Sequence, residues 1–299
     1  MALAVQSWWS MSTITRAFAL AVALLAGCGK SADKEAPKPV TETAKPVADK
    51  APPKPTQPPL VFVGVAALLL VLACEEYARL IVPHGAPIPF ALWCAAAALA
   101  GSAVVVPGVS LSHVVSLLLA TVVICGSVAV LRWRGGDALS GVSAAVFAPL
   151  YLGFPIGALV RVREEQGPAG LFLLMLTVML SDTAQYYTGR AFGQRPLAPA
   201  ISPKKTVEGA VGGLVVGSLV FALAGGWWLD RPWPLSIRLA LGATIVAAGI
   251  LGDLFESMLK RHAGVKDSGS LIPGHGGVLD RIDALLFATP VYFIALTLL

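Results

Sequence analysis

Residues 237–257 read IRLALGATIVAAGILGDLFES. After Arg238 the stretch carries no charge until Asp253. A helical membrane crossing needs about 20 mainly apolar residues, and this run meets that length. It ends in a Gly-Asp-Leu-Phe-Glu-Ser segment in which acidic and apolar residues are mixed. Working outward, comparable runs lie at about 60–80, 88–107, 112–131, 139–160, 168–188, 207–227 and 281–299. The expected fold is therefore all-α, a polytopic integral membrane helical bundle of about eight to nine transmembrane helices.

Composition supports this class. The 299 residues are 56% hydrophobic and only 13% charged, with a mean hydropathy of +0.76. A soluble domain of this length needs far more polar surface. The net charge of +5 comes mostly from short segments between apolar runs, as expected for positive-inside topology and headgroup contact. No basic module stands apart from the spans, so no nucleic-acid partner is expected. Cys74, Cys94 and Cys125 sit in or beside apolar runs and form no C-x-x-C pair, which argues for buried small hydrophobes. No internal repeat points to the inverted halves of a transporter.

Three regions are expected: 1–28, 29–59 and 60–299. The first ends in Leu25-Ala26-Gly27-Cys28 after Arg16 and an apolar stretch. This resembles the lipobox of bacterial lipoproteins, and an uncleaved first span is the other reading. Residues 29–59 are rich in Lys, Pro, Glu and Thr and cannot bury enough apolar area to fold, so they read as a tether. Residues 60–299 are the membrane domain.

Loop charges orient the domain. One set of alternate loops carries Arg79; Arg132 and Arg134; Arg190, Arg195, Lys204 and Lys205; and Lys260, Arg261 and Lys266. The opposite set carries Arg161, Arg163, Arg231 and Arg238. The richer set is expected on the cytoplasmic side, here of a bacterial inner membrane.

Two polar stretches on that side carry candidate chemistry. In Ser202-Pro203-Lys204-Lys205-Thr206-Val207-Glu208-Gly209, two lysines precede an expected helix start near 207. A helix N-terminus offers free amide donors and a positive dipole end, which suit phosphate. The other reading is a basic cluster at the lipid headgroups. The second stretch runs from Gly252 to Asp283. Asp253, Ser257 and Lys260 are spaced to share one helix face, and Asp280 and Asp283 lie one turn apart. Gly276 and Gly277 let a backbone approach an anion closely. Carboxylate oxygens beside phosphate-binding groups suit Mg²⁺. Ionised carboxylates at membrane depth cost a few kcal/mol unless compensated, which argues against a plain charged loop.

The stretch from Ser257 to Asp283, SMLKRHAGVKDSGSLIPGHGGVLDRID, resembles the pattern of the phosphatidate cytidylyltransferases (CDP-diglyceride synthases). Further agreement comes from Ser181-Asp182-Thr183-Ala184-Gln185-Tyr186, from SPKKTVEG and from Glu75-Glu76-Tyr77. The resemblance covers about residues 60–299. Gln185 departs from it, standing where the family more often has a small residue, and so does the tether.

The resemblance implies transfer of a cytidylyl group from CTP to phosphatidic acid, giving CDP-diacylglycerol and pyrophosphate. It implies that Asp253 and Asp280 hold a catalytic Mg²⁺, assisted by Asp283, with a second cation left open. Ser257 and Lys260 would face the same centre, and Ser202, Lys204 and Lys205 would meet the nucleotide phosphates. Asp182, Lys266, His275 and Arg281 complete the expected substrate-binding set, with a structural histidine as the other reading of His275. Partners are then CTP, phosphatidic acid and the bilayer, with a homodimer also expected. Rival classes are an ion pathway, which predicts polar residues scattered through the spans, a CTP-dependent lipid-alcohol kinase, and a catalytically inert membrane organiser.

Overall fold

A computed structural model of the chain describes residues 60–81, 88–106, 108–132, 138–229, 231, 233–269, 271 and 276–299. The lipobox-like Cys28, the 29–59 tether and His275 lie outside the described residues. Helices α1 (Leu60–Ile81), α2 (Phe90–Val105), α3 (Leu111–Arg132) and α4 (Ala138–Ala148) come first. A π-helical turn, Pro149–Gly153, leads into α5 (Phe154–Phe192). A small antiparallel hairpin, β1 (Pro196–Ala198) and β2 (Ser202–Thr206), precedes α6 (Val207–Trp228), α7 (Leu235–His262) and α8 (Leu279–Leu298).

The all-α membrane expectation holds. In hydrocarbon every backbone donor and acceptor must be met within the chain, and a helix does this along its own length. Among the described residues, six helical runs are long and apolar enough to cross a membrane. Length alone does not reach eight, for two reasons. Helix α2 has only 16 residues, and residues 139–192 form one 54-residue run. A straight helix of that length would extend about 80 Å, against about 30 Å of hydrocarbon. Gly167 breaks the run with φ 68° and ψ −170°, immediately before Pro168. Only glycine adopts that backbone readily, so the break separates the two spans expected at 139–160 and 168–188.

The sequence reading leaves 161–167 as a loop, whereas the helix continues to the break. Arg161 explains the difference, since it pairs with Glu164 and Glu165 at 2.7 Å each. Ion pairs at three- and four-residue spacing support a helix.

Two buried clusters make the core. One joins α1, α2 and the π-helical turn through Tyr77, Trp93, Tyr151 and Leu152. The other joins the second half of α5 to α6 and α7 through Leu173, Leu174, Phe221 and Ile245. Helix α8 belongs to both, giving Leu279 and Leu286 to the first and Ala288 and Tyr292 to the second. It is the shared wall; its first turn carries Asp280, and Asp283 follows in the next.

Helices α5 and α6 approach closely because α6 presents small residues on one side. A Cβ on Gly209 would lie 2.8 Å from the Gln185 carbonyl oxygen, and one on Gly213 would lie 2.9 Å from that of Ser181. Small residues at four-residue spacing let two backbones meet inside a membrane.

Candidate active site

The hairpin is what brings the lysines inward. Strand β2 is Ser-Pro-Lys-Lys-Thr, and Thr206 ends it as the N-cap of α6, its hydroxyl accepting from the Gly209 amide at 3.1 Å. Thr is a favoured cap because its oxygen satisfies one of the free donors of the first turn. Glu208, in that first turn, accepts from the Gln194 and Arg195 amides at 3.1 and 3.2 Å and from Arg195 Nε at 3.0 Å. The helix start expected near 207 is therefore observed. The hairpin ahead of it is an addition, formed by main-chain pairing.

Lys204, Lys205 and Ser202 line a cavity of about 620 Å³ between the end of α5, β2 and the start of α6. Asp182, Gln185 and Arg190 of α5 and Asp253 of α7 complete its polar wall. Lys205 bridges to Asp253 across this space, while Lys204 is exposed. Cationic donors and a carboxylate facing one cavity suit a polyphosphate that arrives with a divalent ion.

Asp253 belongs to a longer polar strip on α7. Ser257 lies one turn on, with its hydroxyl 3.5 Å from Asp253 Oδ1. Lys260 lies nearly a further turn on and donates to Asp280 Oδ1 at 2.5 Å. It also forms an ion pair with the fully buried Glu256, out of line for a hydrogen bond. The shared face expected for Asp253, Ser257 and Lys260 is observed. Asp283 lies within electrostatic reach of Asp253, Asp182 and Lys260, so α8 closes the strip.

Asp280 is held more fully than Asp253. Its Oδ2 accepts from the Ser268 amide at 2.9 Å, the Ser268 hydroxyl at 2.8 Å and the Gly277 amide at 2.8 Å. Asp253 and Asp280 thus attach to different turns of α7 and keep different company. Lys266 and Arg281 are exposed, and neither lines the cavity.

A Mg²⁺ site can be tested against these donors. Among the described residues, no three His, Cys, Asp or Glu side chains form a ready-made metal cage. Mg²⁺ seldom needs one, since it is commonly held by one or two carboxylates together with substrate phosphates and water. Asp253 fits that role, being a hard oxygen donor on the cavity wall with Asp283 and Asp182 in reach. Asp280 fits less directly, because four protein donors already hold its oxygens and it does not line the cavity.

The cytidylyltransferase family model matches residues 56–299, which includes every described element. The chain belongs to the cytidylyltransferase family. A phosphatidate cytidylyltransferase of Mycobacterium bovis is 42% identical over 169 residues, covering 55% of this chain and 53% of that protein. One from Bacillus subtilis is 39% identical over 153 residues, covering 50% and 56%. One from Synechocystis is 47% identical over 142 residues, covering 46% and 47%. The chain spans about half the length of the curated relatives it matches.

Sequence reasoning assigned no role to two acids of this family member, although Glu76 lies in the Glu75-Glu76-Tyr77 motif. Glu256 is the buried partner of Lys260, and its four-residue spacing from that lysine was a usable signal. Glu76 is buried against α8, and no local signal reveals a partner so distant along the chain.

Proposed function

We propose that the chain is a phosphatidate cytidylyltransferase, joining CTP to phosphatidic acid to give CDP-diacylglycerol and pyrophosphate. The observation that carries this reading is the cavity at one end of the bundle, where Lys204, Lys205, Asp182 and Asp253 converge. The family membership and the names of its relatives support the same activity.

In the proposed reaction an oxygen of the phosphatidate phosphate attacks the α-phosphorus of CTP. A new phosphorus–oxygen bond forms as the bond to the β-phosphate bridging oxygen breaks, and pyrophosphate leaves with that electron pair. The nucleophile is already anionic, so no side chain has to remove a proton. Lys205 and Lys204 bind the nucleotide phosphates and offset charge that builds on the leaving group. Ser202, on the cavity wall, orients the chain of phosphates. Lys260, fixed between Glu256 and Asp280, keeps a positive charge next to the acids. Asp253 and Asp283 would hold Mg²⁺, with Asp280 joining them only where Lys260 yields Oδ1. When bound, that ion neutralises phosphate charge as the anhydride breaks.

The cavity lies at the C-terminal ends of α5 and α7 and the N-terminal end of α6. Glu76, near the C-terminal end of α1, meets the N-terminal end of α8 beside the same acids. Those ends carry the richer set of loop charges, which supports an active site on the cytoplasmic side of a bacterial inner membrane. There CTP arrives from solution and phosphatidate from the leaflet. The homodimer expectation extends this reading, and mass measurement of the detergent-solubilised protein tests it.

The deciding experiment supplies labelled CTP to the full chain, purified in detergent, with phosphatidic acid present or omitted. Label entering the organic phase only when phosphatidic acid is present supports the reading. Transfer to a lipid alcohol instead, or no transfer at all, overturns it.

A further inference from the structure

We infer that Glu76 is a positioning residue for Asp280, acting from the first described helix on the start of the last. The inference rests on the proposed activity for its kinetic consequence, and on geometry alone for its structural one. Glu76 is 5% exposed. Its Oε1 accepts from the Val278 amide at 2.9 Å, and its Oε2 from the Leu279 amide at 2.7 Å and the Ser268 hydroxyl at 3.0 Å.

Helix α8 needs this help. Its first residues have free amide donors, as at every helix start, and Val278 at the N-cap has no side-chain acceptor of its own. A carboxylate from α1 takes the Val278 and Leu279 amides, which the helix itself leaves without a partner. Its negative charge also meets the positive end of the helix dipole. The next residue after the two donors is Asp280, so the backbone that carries Asp280 is set by where Glu76 sits.

A second link runs through Ser268. Its hydroxyl is 3.0 Å from Glu76 Oε2 and 2.8 Å from Asp280 Oδ2. One hydroxyl has one proton and can donate to only one of two carboxylates at a time. A shift of either carboxylate is therefore felt by the other. The chain closes tightly over this pair: a Cβ on Gly277 would lie 2.3 Å from Glu76 Oε2, and one on Gly269 would lie 2.7 Å from Oε1.

Glu76 does not line the cavity that holds Lys204, Lys205 and Asp253. Its loss should thus disturb the acid on α8 and leave nucleotide binding in place. The test uses Glu76→Gln in the full chain, which keeps shape but points an amide at amide donors. The expected result is a fall in kcat of about tenfold or more, typical for a residue that orients a reactive group. The KM for CTP should stay within about twofold. Amide exchange should accelerate at 276–282 and not at 182–210.

Product formation by the unaltered protein judges the proposed activity separately. Should that protein make no product, the exchange pattern decides the positioning role alone. An unchanged kcat with unchanged exchange overturns the inference. So does faster exchange across all helices with kcat and KM altered together, which marks a merely structural residue. Where Glu76→Gln does not accumulate, Ser268→Ala decides, because it deletes only the shared hydroxyl. A fall in kcat of about threefold or more with KM for CTP unchanged supports the linkage, and an unchanged kcat overturns it.

Discussion

Asp253 and Asp280 stand on the same polar strip and are treated differently by their surroundings. Asp253 faces the cavity, where its partner is a lysine on a short strand. Asp280 faces the protein, where Lys260, Ser268 and Gly277 take up both of its oxygens. The difference separates two jobs that the sequence pattern presents as one. A carboxylate that must exchange partners during a reaction has to be reachable, while one that holds a lysine in place gains from being saturated. Four donors hold the Asp280 carboxylate in place, and the Asp253 end of the strip lacks that restraint.

Substituting the two acids tests the contrast directly. Asp253→Asn is expected to lower turnover at saturating Mg²⁺ by about 10²-fold or more, a loss typical for removing one charge-stabilising group, with the thermal midpoint unchanged. Asp280→Asn is expected to lower turnover as well, and in addition to destabilise the fold by about 1–3 kcal/mol, because buried donors lose their acceptor. Both are read from initial rates and melting in detergent. Equal effects on stability would erase the distinction between the two acids, and near-normal turnover of Asp280→Asn would remove Asp280 from the site.

Lys205→Gln sharpens the cavity side. It removes the partner of Asp253 and a charge facing the cavity, so the KM for CTP should rise about tenfold, as expected for one charge-assisted bond. The apparent affinity for phosphatidate should be nearly unchanged. An effect confined to the lipid would return Lys205 to the headgroup reading.

The spans are legible in the sequence because an apolar run of crossing length has few places to go but the bilayer. The start of α6 is legible from Lys204 and Lys205 ahead of a run that carries no charge from Gly209 to Leu229. The hairpin is not, since Ser202–Thr206 pairs with Pro196–Ala198 through main-chain groups and has no alternating apolar pattern. Helix through 161–166 is hidden by the charges of Arg161, Glu164 and Glu165, which read as a loop and turn out to pair along a helix. Within the site, Asp182, Ser202, Lys204, Lys205 and Asp253 are recognisable from their motifs and do share one cavity. Glu76 escapes because its donors lie 202 and 203 residues away, and hydrophobic periodicity carries no information about such a pairing.

That separation also bears on how the protein is made. Synthesis delivers α1 to the bilayer long before Val278 and Leu279 exist. Until they emerge, α1 carries near its end a carboxylate whose main-chain donors are still untranslated. Lys260 and Glu256 arrive next, and they too wait for Asp280. Helix α8 therefore does more than add one more crossing: its arrival completes sites left open at both earlier stages. A nascent chain halted before α8 leaves Glu76 without its main-chain donors, and one that has gained α8 conceals that acid, so the two stages differ in what they expose.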